Sequence, residues 1–194
     1  MDIPSAANLF GFLAIVAYIL TLLPTTLRVI SPPIKKTGIP KLLLQNRRLM
    51  GILAFALTVA HGHLMLRKRH FDFLDHQTYV VYCQGIITFI IFASLTITSN
   101  DWSVRKLKKH WKMLHSLTYI AMFLLLWHVF DKMDGHWTYL TPISAVGMVG
   151  IVILFLLRKI IEIKKSSLPR STTLGANTVI KDTQRISDKI KEKI

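Results

Sequence analysis

The sequence predicts an all-α membrane protein, a bundle of about five transmembrane helices followed by a basic tail. Three observations carry this reading. The chain of 194 residues is 52% hydrophobic yet has a formal net charge of +15, and its mean hydropathy is +0.43. Its apolar residues are gathered into five runs, each near the roughly 20 residues that cross a ~30 Å hydrocarbon core as a helix. Its cations avoid those runs and collect in alternate connections, as in proteins that span a membrane several times. The same facts exclude other classes. The single cysteine, Cys83, sits inside an apolar run, so there is no disulfide scaffold. The basic residues are not interleaved with exposed aromatics, which argues against a nucleic-acid partner. No polar stretch is long enough to bury a core of its own.

The first predicted span covers 8–30. It lacks the basic leader and small-residue cleavage site of a signal peptide, and Pro24 should kink it near its inner end. A polar connector, SPPIKKTGIPKLLLQNRR, carries Pro32, Pro33 and Gly38 as breakers. The second span, 49–66, contains His61 and His63. The loop RKRHFDFLDHQ leads to the third span, 79–98, and the basic loop SNDWSVRKLKKH to the fourth, 111–130, with His115 and His128. After the short loop DKMDGH comes the fifth span, 137–157. Residues 1–165 thus form the membrane domain and 166–194 a basic tail. Within the tail Val179, Ile180, Thr183, Ile186, Ile190 and Ile194 recur at helical spacing with lysines between them, which suits an interfacial helix on an anionic leaflet as well as a disordered tail. Of the 25 Lys and Arg residues, 21 fall on one side of this topology and only Arg67, Lys68, Arg69 and Lys132 on the other. The N-terminus is therefore expected outside and the C-terminus in the cytoplasm.

No Asp or Glu falls within the five predicted spans. Carboxylate proton relays and paired-carboxylate hydrolysis lose their parts, and no Gly-rich phosphate loop is visible. Histidine is what remains at membrane depth. His61 lies fourteen positions beyond Arg47, about 21 Å along its helix at the usual rise. His128 lies near the outer end of a helix running in the same direction, so both imidazoles reach the outer half of the bilayer. His115, thirteen residues before His128, lies near the inner face. A net rotation of about 220° separates the latter two on a straight helix, so they do not share a face. An imidazole in hydrocarbon must satisfy its nitrogens with a metal or a hydrogen-bond partner. Two at matched depth suit axial ligation of a haem iron held between the second and fourth spans; packing histidines are the competing explanation. His63, about 200° around the helix from His61, is expected not to be a ligand, and His70, His76, His110 and His136 to be solvated.

Two stretches carry a resemblance. NRRLMGILAFALTVAHGHL sets a basic pair, a glycine and then His61. TITSNDWSVRKLKKHWKMLHSLTYIAMFLLLWHVF joins a Thr-Ser span end, a basic loop, K-x-W-x-x-L-H and a second histidine. Over about 8–160 these resemble the ferric reductase-like transmembrane domain, and within it the MsrQ (YedZ) type of haem-binding membrane subunit. The resemblance implies b-type haem between the two histidine helices, with His61 and His128 at the outer ligand positions and His115 at the inner one. The family's oxidases and reductases have a second histidine on the first of these helices where this chain has Arg47. One outer haem is therefore expected, with a second, unusually ligated haem at His115 as the alternative. The resemblance also implies a donor from outside the chain, since no Gly-rich nucleotide motif follows Leu157, and MsrQ-type chains carry a further N-terminal helix for which this sequence begins too late.

The function expected is electron transfer across the bilayer, from a cytoplasmic flavoprotein, bound FMN or quinol to an acceptor on the opposite side, such as a methionine sulfoxide reductase-like partner. No residue is assigned a catalytic role. Arg47, Arg48, Arg105, Lys106, Lys108 and Lys109 are candidates for docking the donor or binding flavin phosphate, although the positive-inside bias alone also accounts for such loops. The alternatives are a metalloreductase acting on ferric or cupric chelates and a haem-free subunit of a larger membrane complex. The topology is checked by reporter fusions: one after Ile194 should read as cytoplasmic and one within 131–136 as external. Both on the same side would contradict it.

Overall fold

The computed structural model describes residues 5–30, 39–68, 76–133 and 138–166. Among them the chain forms seven helices and no strand: α1 (Ala6–Ile30), α2 (Ile39–Gln45), α3 (Arg47–Lys68), α4 (His76–Ile97), α5 (Asp101–Leu107), α6 (Lys109–Met133) and α7 (Leu140–Ser166). Five of them, α1, α3, α4, α6 and α7, have apolar segments of 19 to 27 residues, long enough to cross a membrane. The protein is an integral, multi-pass membrane protein. The predicted interfacial helix in the tail lies outside the described residues. The chain divides into two compact units, Met1–Arg158 and Lys159–Ile194. In the second, Lys159 Nζ lies 3.5 Å from Glu162 Oε2.

Small residues decide how the first unit packs. Ala7, Gly11 and Ala14 follow one another at helical spacing on α1, and Ala7 and Ala14 are buried. Without long side chains between them, two helices approach closely, and α1 packs most intimately on α3. Close backbone approaches also join α3 to α4 and α4 to α6, whereas no Cα of α3 comes within 8 Å of one in α6 among the described residues. The core around Leu22, Met122, Met148 and Ile151 is fully buried. Tyr18 crosses it to donate its hydroxyl to the Thr118 carbonyl on α6 and packs against Phe92 with ring centroids 5.1 Å apart. Many large apolar side chains on the outer faces, Ile86, Ile90, Val146 and Ile153 among them, are exposed, as lipid-facing positions should be.

The connectors differ from the loops expected. The first contains α2, and α3 follows it at once. The third contains α5, capped by Asn100, whose Oδ1 accepts from the Ser103 N–H at 2.7 Å, with Asp101 in the first turn. Lys108, with φ 47°, turns the chain from α5 into α6. Arg48 donates to Asp101 at 2.6 Å, and this bond holds the Asp101 carboxyl below the usual carboxylate range. Lys106 lies 4.5 Å over the Trp102 ring. The span ends also move. α1 continues unbroken through Pro24, and α6 runs on to Met133. A carboxylate therefore does stand on a spanning helix: Asp131 lies in the last turn of α6. Gln84 Nε2 donates to it at 2.7 Å and Trp127 Nε1 at 3.1 Å. Ring and amide donors carry the helix past the point where the sequence turns polar.

Candidate functional site

His61 and His128 line one cavity of about 650 Å³ in the half of the bundle that holds the N-terminus of α1. This is a usual size for a small-molecule or cofactor site. Its walls come from α1, α3, α4, α6 and α7, and are mainly apolar, with Ile15, Phe89 and Leu125 among them. His61 shares a helical face with Ala54 and Thr58, and the Thr58 hydroxyl satisfies itself on the Ala54 carbonyl at 2.8 Å. His61 Nδ1 lies 2.7 Å from the Ala7 carbonyl oxygen. A carbonyl only accepts, so Nδ1 carries the hydrogen and Nε2 keeps the lone pair. His128 packs against Gly85, where an added Cβ would lie 3.7 Å from its Cε1, and its buried Nδ1 has no hydrogen-bond partner among the described residues. His63 is exposed but also borders the cavity, so the half-turn from His61 does not take it to an unrelated surface.

A second cavity, of about 430 Å³, is lined by Arg47, Arg48, Lys112 and His115, with Tyr18, Trp111 and Tyr119 as aromatic walls. The sequence places Arg47 and His115 at like depth, and they do meet in one cavity. His115 is held there by ordinary packing. Its Nε2 lies 3.3 Å from Thr98 Oγ1, its ring stacks on Trp111 at 4.0 Å between centroids, and Trp111 Nε1 donates to the Thr98 carbonyl at 3.0 Å. His115 and His128 thus open onto different cavities, as the rotation between them requires. His110 is exposed, while His70 and His136 lie outside the described residues.

Several polar groups at the His61–His128 cavity had not been expected from the sequence. Thr88, Asn8, Asp131 and Lys132 line it, and Gln84 stands behind Asp131. Gln84 and Thr88 are buried on α4, and Gln84 Oε1 and Thr88 Oγ1 have no partner among the described residues. A glutamine in the apolar run of α4 was a signal, because intramembrane polar groups are costly and tend to mark sites. Asp131 was missed because it follows the last apolar residue.

The residues fit a haem. The cavity offers an imidazole with its lone pair on Nε2, a second imidazole with an unsatisfied buried nitrogen, and glycines against both rings. Among the described residues no group of three or more His, Cys, Asp or Glu side chains is placed to hold a bare metal ion. Residues 10–126 match the family model of the ferric reductase like transmembrane component. The chain belongs to that family. His128 lies just beyond the matched segment. The chain is also 36% identical over 120 residues to proteins of Brucella ovis, Brucella canis and Brucella suis named protein-methionine-sulfoxide reductase heme-binding subunit MsrQ. That alignment covers 59% of this chain and 51% of each relative, so the chain spans about half the length of the curated relatives it matches.

The Asp131 network predicts its own weak point. Asp131→Ala leaves the buried Gln84 amide without its acceptor, which for a buried polar group costs about 1–3 kcal/mol, while the exposed Trp127 donor turns to solvent. The thermal midpoint of the detergent-purified protein should fall, and Asp131→Asn, which keeps one acceptor oxygen, should fall less. Equal loss in the two variants would contradict the hydrogen-bond account.

Proposed function

We propose that the chain is a b-type haem electron-transfer subunit, with the haem iron held between α3 and α6 by His61 and His128. The observation that carries this reading is one cavity of cofactor size with two imidazoles in its wall, one having its tautomer fixed by a backbone acceptor and the other an orphaned buried nitrogen. When bound, haem supplies one-electron exchange at iron, while the protein supplies position, burial and axial ligands. The apolar walls exclude water, and the five spans hold the two ligand helices apart by the width of the cavity. The name of the MsrQ relatives supports the haem and suggests a methionine sulfoxide reductase-like partner as acceptor on the outer side.

The inner cavity is where we place the donor. Arg47, Arg48 and Lys112 would meet an anionic group, and Trp111 and Tyr119 would pack against an aromatic ring, as a flavin or quinol head presents. His115, occupied by Thr98 and Trp111, acts there as a wall residue, which favours one haem over two. Electrons would then run outward from the side that the cation distribution assigns to the cytoplasm.

The reduced-minus-oxidised spectrum with a pyridine haemochrome assay tests this. His61→Ala and His128→Ala should each abolish the low-spin haem spectrum while the protein still inserts, whereas His63→Ala should keep it. His115→Ala should leave haem content unchanged. A wild-type protein without a Soret band, or full haem in His61→Ala, would overturn the reading; about half the haem lost in His115→Ala would replace one haem with two.

A further inference from the structure

The first turn of α1 makes contacts that a haem between α3 and α6 does not by itself require. Ala7 is completely buried, and its carbonyl takes the His61 Nδ1–H at 2.7 Å. One turn later Gly11 lies under the same ring. A Cβ added there would stand 2.9 Å from Nδ1 and 3.1 Å from Cε1, inside van der Waals contact, so either the ring or the helix would have to move. Between them Asn8 faces the other histidine helix, its Oδ1 accepting from Lys132 Nζ at 2.9 Å and its amide donating to Thr138 Oγ1 at 3.3 Å. Ala7 and Asn8 lie before residue 10, where the family match begins.

We infer that the first two turns of α1 are the positioning element for the His61 imidazole: the Ala7 carbonyl fixes its Nδ1–H, Gly11 leaves the ring its room, and Asn8 ties this helix end to α6. The inference rests on the haem reading above and adds to it an asymmetry between the two ligands. His61 Nδ1 is clamped by a backbone acceptor at 2.7 Å, whereas His128 Nδ1 makes no bond of that geometry among the described residues, Val81 being the backbone group near its ring, and its glycine neighbour leaves ordinary contact distance. A hydrogen bond from the distal N–H to a carbonyl fixes the ring's tautomer and orientation and raises the basicity of the ligating nitrogen. The more basic ligand favours ferric over ferrous iron, so the clamp holds the potential down. Losing an outer partner of this kind typically weakens metal affinity about 10–100-fold. Ala7, Asn8 and Gly11 are positioning residues, since they act through His61.

The test separates the clamp from packing and from the haem reading. Full-length His61→Gly protein is titrated with imidazole, 4-methylimidazole and 1-methylimidazole, following the low-spin spectrum and the midpoint potential. Imidazole and 4-methylimidazole keep an N–H for Ala7 and should restore the wild-type spectrum and potential. 1-Methylimidazole has none, and should bind at least about tenfold more weakly with a more positive midpoint. In parallel, Gly11→Ala should keep the chain inserted but shift the midpoint positive or lower haem retention. Gly150→Ala, with nothing within 4 Å of the new methyl, should match wild type. If 1-methylimidazole binds as tightly as 4-methylimidazole at the same potential, or if Gly11→Ala matches Gly150→Ala, the clamp is overturned and the haem reading stands. A wild-type protein without haem would overturn both.

Discussion

An imidazole buried in a membrane has two nitrogens and no water to satisfy them, and the arrangement of this bundle follows from how that requirement is met. Three of the histidines on the spanning helices, His61, His115 and His128, meet it differently. His115 uses a threonine hydroxyl and a tryptophan face. His61 uses one nitrogen on the Ala7 carbonyl and keeps a lone pair on the other. His128 leaves its buried Nδ1 without a hydrogen bond of good geometry among the described residues. The Thr98 contact engages the His115 Nε2. The other two imidazoles face one cavity, and a metal centre held between them would give each a further partner.

The close packing of α1 on α3 and the open space between α3 and α6 serve this arrangement. Ala7, Gly11 and Ala14 bring the α1 backbone near enough for a carbonyl to reach a side chain on α3. Phe89, Leu125 and the other apolar walls line the space between α3 and α6, and electrostatic interactions strengthen where such surface replaces water. Beside the cavity, Lys132 donates to Asn8 and Gln84 to Asp131. The inner cavity has the opposite character, with cations and aromatic rings in place of an open pair of histidines. One chain thus carries two differently built sites along the same bundle.

Much of this was legible in the sequence. Run lengths gave five spans, and the rise per residue put His61 and His128 at one depth and Arg47 and His115 at another. The rotation between His115 and His128 already set them on different faces of a straight helix. Other features had no sequence signal of their own. The acceptor for His61 is a backbone carbonyl 54 positions away, and any residue type supplies one. Gly11 reads as one small residue in an apolar run until the ring above it is placed. Asp131 seemed to end a span, because hydropathy records where apolar residues stop, whereas the helix stops where its hydrogen bonds do.

A density map of the haem-loaded protein tests the account most directly. The expected result is planar density in the outer cavity, bridged by His61 and His128, with the His61 ring still seated on the Ala7 carbonyl. Haem density in the inner cavity beside His115 and Arg47, with the outer cavity collapsed and its two imidazoles bonded to protein, would contradict it.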